Sequence, residues 1–296
     1  MSDVQTEIIP EGAVSKKEGK LSNFWKDFRK KKPALISFYF IILLFIITLI
    51  GPYIVPYDPA APDYNKVLES PSLQHLFGTD SFGRDILSRL AVGARISLTV
   101  SISAVLLGAL VGTFLGLISG FFGKWVDRAI MRVCDVLFAF PDLILAIGIV
   151  AILGPGLKNV VIAVAFFSIP SFARIVRSAT LETKEMLFVE ATRSIGASNK
   201  RMIWKHIFPE TVPTIIVYFT MKVGTAILAA ASLSFLGLGA EPSSPDWGAM
   251  LSNSRDYIDS SFHLVFFPGL IIFLTVLAFN LLGDGLRDVL DPKTKD

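Results

Sequence analysis

The sequence predicts an all-α integral membrane protein with six transmembrane helices. Three observations lead there. Apolar residues fill 52% of the 296 positions and mean hydropathy is +0.60, more apolar surface than ordinary soluble domains of this length can hide. These residues gather into six runs parted by polar stretches. With six crossings drawn, 21 of the 28 Lys and Arg residues fall in the stretches on one side, the bias expected of a cytoplasmic face. A net charge of +3 is too small to argue for nucleic acid. The single cysteine, Cys134, permits no intramolecular disulfide. His75, His206 and His263 are too scattered to suggest a metal site.

In chain order, residues 1–33 form a polar tail ending in the basic cluster Lys26, Arg29, Lys30, Lys31 and Lys32, a cytoplasmic flank for the first span. Leu35 to Tyr53 is long enough to cross as a helix. It is too long for a signal-peptide core and lacks a small-x-small cleavage site, so no signal peptide is expected. Pro52, Pro56, Pro59 and Pro62 then break helix, and the segment Phe77-Gly78-Thr79-Asp80-Ser81-Phe82-Gly83-Arg84-Asp85 follows, with glycines at its turns. From Asp85 an amphipathic helix leads into the second span. The dense charges there come with no nucleophile–base pair and no metal spacing, so the sequence offers no catalytic site.

The second span covers about Ile96 to Phe121. Ala104, Gly108, Gly112, Gly116 and Gly120 recur every four residues and lay a small-residue stripe along one face, suited to close approach by another helix. A short polar turn with Lys124, Arg128 and Arg132 precedes the third span, about Met131 to Leu153, which contains Pro141-Asp142 and ends at Gly154-Pro155-Gly156. Gly123-Lys124 lacks the context of a phosphate loop, and no other such loop occurs, so any ATP belongs to another chain. The fourth span runs from Val160 to about Val176, with Pro170 expected to kink it.

Next comes a polar island in this apolar chain. Glu190, Ala191 and Thr192 open a short helical pattern, and Gly196 is placed to end it in the left-handed conformation. Ser198 can cap a second helix, with Met202, Ile203 and Ile207 on one face and Lys200, Arg201 and Lys205 on the others. Pro209 is expected to stop that helix. From these residues alone, a solvated loop with an interfacial helix is an equal reading. The fifth span runs from about Val212 to Leu236 and the sixth from about Leu264 to Leu282. Six crossings put both termini on the cytoplasmic side. The arginines Arg84, Arg89 and Arg95 fall outside and count against that topology.

Glu190-Ala191-Thr192, three residues, Gly196, then twelve residues and Pro209 resemble the "EAA" loop of permease subunits in ATP-binding-cassette importers. Thr192 stands where a second Ala is common, Phe208 replaces Leu, and His206 replaces Ile. Gly78-Thr79-Asp80-x-x-Gly83-Arg84-Asp85, Trp247-Gly248-Ala249-Met250-Leu251, Phe266-Phe267-Pro268-Gly269 and the run Ala278 to Asp288 resemble the C-type permeases of dipeptide, oligopeptide and nickel importers. Cys134 to Pro141 and Ala231 to Ala240 look closest to the dipeptide and glutathione branch.

The resemblance implies a type I importer permease fold, with a tail at 1–33, a first transmembrane helix and extracytoplasmic segment at 34–95, a permease core at 96–284 and a cytoplasmic tail at 285–296. It implies a non-catalytic subunit of a bacterial or archaeal plasma membrane, forming half of a pore for a dipeptide, oligopeptide or glutathione. A nickel complex is the alternative cargo, and a secondary transporter an alternative class. Implied partners are a homologous permease, two ATPase subunits that bind ATP and Mg, an extracytoplasmic binding protein and membrane lipid. The loop Glu190, Ala191, Thr192, Gly196, His206 and Pro209 would couple to the ATPase. Lys222, about 15 Å into the fifth span, is too deep to snorkel. Two readings stand: Lys222 pairs with an acid on a neighbouring span, for which Asp135 is the candidate, or it lines the pore and meets a peptide carboxylate.

Overall fold

The computed structural model describes residues 20–290. They form helices α1 (Lys20–Lys30), α2 (Lys32–Ile54), α3 (Ile86–Phe122), α4 (Lys124–Phe138), α5 (Asp142–Leu153), α6 (Leu157–Lys184), α7 (Leu187–Ser194), α8 (Asn199–Arg201), α9 (Phe208–Phe235), α10 (Trp247–Ser254) and α11 (His263–Leu290). The described residues contain no strand beyond one isolated bridge between Thr79 and Asp85. Tail positions 1–19 and 291–296, including Lys16, Lys17, Lys293 and Lys295, lie outside the described residues.

Five helical stretches are long and apolar enough to cross a membrane: α2, α3, α6, Asn199–Phe235 and α11. The segment expected to cross as a straight span over 131–153 is bent instead. α4 and α5 meet at 89°. Pro141 is the cause: it lacks an N–H, its ring opposes the carbonyl four residues back, and it holds the residue before it away from helix. Pro141 sits at φ −57°, ψ 132°, extended, and helix resumes only at Asp142. The expected polar turn at 124–132 is helical and belongs to α4.

Pro209 also departs from expectation. It does not stop the island's second helix. The chain passes from α8 through a π-helical turn, Met202–Ile207, directly into α9, where Pro209 occupies the first turn. In the wider π-turn the N–H of Phe208 reaches back to the carbonyl of Ile203, and the register shift accommodates a residue that cannot donate. The cuts at 95/96 and 284/285 fall inside α3 and α11. Both helices outrun the expected bounds: the start of α3 is buried beneath the segment that precedes it, and α11 continues as helix to Leu290.

α3 and α6 form the most intimate pair. A Cβ on Gly108 would stand 2.7 Å from Ser168 Cβ, on Gly112 2.5 Å from Phe172 Cβ, on Gly116 2.6 Å from the Ala173 carbonyl, and on Gly120 2.7 Å from Thr180 Cβ. The stripe therefore receives the backbone of α6 at four successive turns. Around this pair, Leu98, Val105, Phe167, Phe172, Ile227 and Leu233 build the core shared with α9. The end of the N-terminal tail folds as α1. Its Phe24, Trp25 and Phe28 pack on Phe38 and Val289, and Lys31 pairs with Asp288 at 2.6 Å, so the two ends of the described chain lie on one side.

The segment between α2 and α3 is knotted onto the far end of the bundle. Asp85 caps α3, accepting from Ser88 N at 2.8 Å, and holds the His75 ring at 3.0 Å. Arg84 pairs with Asp80 at 2.8 Å. Arg89, 1% exposed, donates to the carbonyls of Pro59 at 2.8 Å and Ser244 at 3.0 Å. Asp246 accepts from Ser97 at 2.9 Å, and the Trp247 indole donates to the Leu90 carbonyl at 3.1 Å. Gly78 and Gly83 turn the segment at φ +77° and +74°. Two of the three arginines that opposed the topology are thus consumed as structural donors; Arg95 is exposed.

Candidate functional site

The polar island builds a compact surface unit. Buried Val189, 1% exposed, anchors α7, while Glu190 and Ala191 face outward and Thr192 is half-buried. The hydroxyls of Thr192 and Ser194 fold back onto the carbonyls of Phe188 and Glu190. α7 closes with Gly196 at φ +81°, the Gly196 N–H on the Arg193 carbonyl at 3.0 Å and the Ala197 N–H on Thr192 at 3.3 Å, a paired left-handed cap. Nothing lies within 4 Å of where a Cβ on Gly196 would be; backbone conformation, not space, calls for glycine there. Ser198 Oγ accepts from Arg201 N at 3.4 Å.

The π-turn fastens the unit to the bundle. Met202, Ile203 and Ile207 are buried against Leu117 and Phe121 of α3 and Val176 of α6. His206 is half-buried, its ring 6.5 Å from that of Phe188. Outward, the unit shows Leu187 at 83% exposure, Ile195 at 85% and Trp204. Glu190 forms no ion pair among the described residues. A rigidly mounted short helix with an apolar, acid-bearing outer face has the character of a docking surface.

Behind the island, α4 is laced to α6 by charge. Arg177 grips Asp127, with its terminal nitrogen at 2.6 Å and Ser119 donating to the same carboxylate. Arg174 pairs with Asp135 at 2.9 Å and lies over the Phe138 ring at 4.3 Å. Asp135 is therefore engaged by Arg174, not by Lys222 as the sequence suggested. The break at Pro141 carries α5 away from α4 and puts a different acid, Asp142, within electrostatic reach of Lys222. The Lys222 ammonium stands 6.0 Å from the Tyr218 ring centroid. Sequence reasoning missed Asp142, Tyr218 and the Asp127–Arg177 clamp. A carboxylate directly after a proline inside an apolar run was the available signal for Asp142.

An all-helical bundle with five continuous membrane-length helices and one bent helix pair, and with an apolar surface unit at one end, has the architecture of a multi-pass membrane protein. Residues 112–296 match the family described as "Binding-protein-dependent transport system inner membrane component", and residues 20–71 match the "N-terminal TM domain of oligopeptide transport permease C". The chain belongs to this family of inner-membrane permeases of ABC importers. It is 56% identical over 273 residues to the glutathione transport system permease protein GsiD of Escherichia coli O6:K15:H31, covering 92% of this chain and 90% of the relative. The same figures hold for GsiD of Shigella boydii serotype 4. Among solved structures, the MetNI methionine ABC transporter in an inward-facing conformation matches 69% of this chain and 97% of its own at 21% identity and a TM-score of 0.58. An amino acid ABC transporter matches 67% and 92% at 21% identity and a TM-score of 0.51. At such identity these two speak for the fold.

Proposed function

We propose that this permease carries glutathione or a closely related short peptide, as one half of a pore completed by a homologous permease. Two ATPase subunits hold ATP and Mg, an extracytoplasmic binding protein delivers the cargo, and the chain itself performs no catalysis. The observation that carries the cargo reading is the 56% identity to the glutathione permease over 92% of the chain. It favours a peptide over a nickel complex. In this reading the loop from Glu190 to Pro209 receives the ATPase. Its outward Leu187, Ile195 and Trp204 supply the apolar contact, and its buried Met202, Ile203 and Ile207 pass the load into α3 and α6. Both termini are cytoplasmic; the Lys31–Asp288 pair and the basic flank support that placement.

The test is reconstitution. The tagged chain is purified in mild detergent with its companions, placed in liposomes with the binding protein, and offered labelled glutathione. ATP-dependent uptake by a complex containing a second permease and two ATPases supports the reading. Uptake by the chain alone without ATP would refute it.

A further inference from the structure

Lys222 and Asp142 lie at one depth of the bundle. Lys222 is thirteen residues short of Phe235 at the end of α9, about 20 Å at the helical rise. Asp142 is eleven residues short of Leu153 at the end of α5, about 17 Å. The two helix ends are level, because the Gly156 N–H just past α5 donates to the Leu238 carbonyl just past α9 at 3.1 Å. Counted along their helices, both charges therefore lie about 17–20 Å from that level end, well inside an apolar layer about 30 Å thick. Lys222 forms no ion pair among the described residues, yet it feels the carboxylate of Asp142. Asp142 is exposed and Lys222 half-buried. Opposite charges at that depth that neither touch one another nor are sealed in protein cannot face lipid tails; such groups face a watery path or a partner.

The surrounding chemistry is that of a polar lining. Tyr218, one turn before Lys222, lies with its ring centroid 6.0 Å from the Lys222 ammonium. Thr225, exposed, continues the same face one turn further. By contrast, the ion pairs that serve structure, Asp127–Arg177 and Asp135–Arg174, are closed at hydrogen-bond distance.

Building on the peptide-importer reading, we propose that Lys222 and Asp142 form a transit subsite in the translocation path for a zwitterionic peptide. Lys222 meets the carboxylate and Asp142 meets the ammonium. The subsite is weak because its two charges are not closed into a pair: each keeps its water until the cargo replaces it, so the peptide is stabilised in passing without being trapped.

Two measurements on the assembled complex test this. In a Cys134→Ser background, Lys222→Cys and Leu110→Cys are reacted with an anionic, membrane-impermeant thiol reagent; Leu110 is an outward, 62% exposed position on α3. A path-lining site is expected to react about tenfold faster or more than the lipid-facing control, because only a hydrated thiol ionises readily. Equal rates overturn the subsite whatever the cargo is. Uptake of glutathione, dialanine and trialanine is then measured for Lys222→Met, Lys222→Arg and Asp142→Asn. Lys222→Met and Asp142→Asn are expected to lose about tenfold or more in uptake, with the complex intact, and Lys222→Arg to retain most of it. Full uptake by Lys222→Met overturns the proposal. So does a charge exchange, Lys222→Asp with Asp142→Lys, that restores both melting temperature and uptake, since that marks a structural pair. Rapid labelling of Lys222→Cys together with a wild-type complex that imports none of the three peptides overturns the zwitterionic ligand, and separates that failure from failure of the path.

Discussion

Adding one methyl group to the glycine seam tests how closely α3 and α6 are joined. In Gly112→Ala the new Cβ would lie 2.5 Å from Phe172 Cβ and 2.6 Å from the Ile169 carbonyl. Ordinary contacts of this kind are about 3.5 Å, so one helix must retreat by about 1 Å. It cannot retreat locally, because Gly108 and Gly116 hold the same two backbones together one turn to either side. Overpacking of this sort costs about 1–3 kcal/mol, and the better helix propensity of alanine returns at most about 1 kcal/mol, so a net loss of up to about 2 kcal/mol is expected. Gly148→Ala in α5 is the matched control: a Cβ there meets nothing within 4 Å, so only the propensity gain, up to about 1 kcal/mol, remains. Thermal unfolding of the purified variants in one detergent should place Gly112→Ala below the wild type and Gly148→Ala at or above it. Equal melting of the two variants would refute the seam as the locus of close packing.

Gly196→Val forces a β-branched residue to φ +81° and should cost about 1–2 kcal/mol locally, lowering uptake per ATP hydrolysed while the chain still inserts; Gly196→Asn, which tolerates that conformation, should transport far better. Leu187→Glu alters a side chain that is 83% exposed, so the chain's melting should hold, yet ATPase subunits should no longer co-purify. Arg89→Met strips the buried carbonyls of Pro59 and Ser244 of their donor and should destabilise the fold by about 2–4 kcal/mol, read as a lower melting temperature. Arg177→Lys keeps the charge beside Asp127 but loses the two-pronged grip. Because that pair is partly solvated, the expected loss is only about 1 kcal/mol in thermal unfolding.

Local rules made parts of the fold legible. Gly196 announces its own positive φ because few other residues adopt it, and Ser198 sits where a helix start needs an acceptor. The four-residue glycine repeat told of a close helix contact, but its partner could not be read, since nothing in a small-residue face names the helix that fills it. The bent crossing was hidden for a related reason. Pro141 signals a break, yet hydropathy counts residues without direction, so a straight and a right-angled crossing look alike. That is also why the sequence points to Asp135 and leaves Asp142 unnoticed as a neighbour of Lys222: the angle decides which acid comes near. Pro209 misled because a proline marks either a helix end or a first turn, and the π-turn before it depends on the burial of Met202, Ile203 and Ile207.

The glycine seam also sets how force can travel. α6 spans Leu157 to Lys184, about 42 Å at the helical rise, and its last turn leads within a few residues into α7. A joint cushioned by long side chains absorbs displacement as rotamer changes. A joint of backbone on backbone has no such compliance. α3 and α6 are therefore joined as a single beam, with the surface unit of α7 and the π-turn at one end. At the other end the beam is bolted through Asp85, Arg89 and Trp247 to the segment that closes the far side. Any tilt imposed at the first end arrives at the second with little lost on the way. The joints left free to yield are those without a glycine seam, above all the elbow at Pro141.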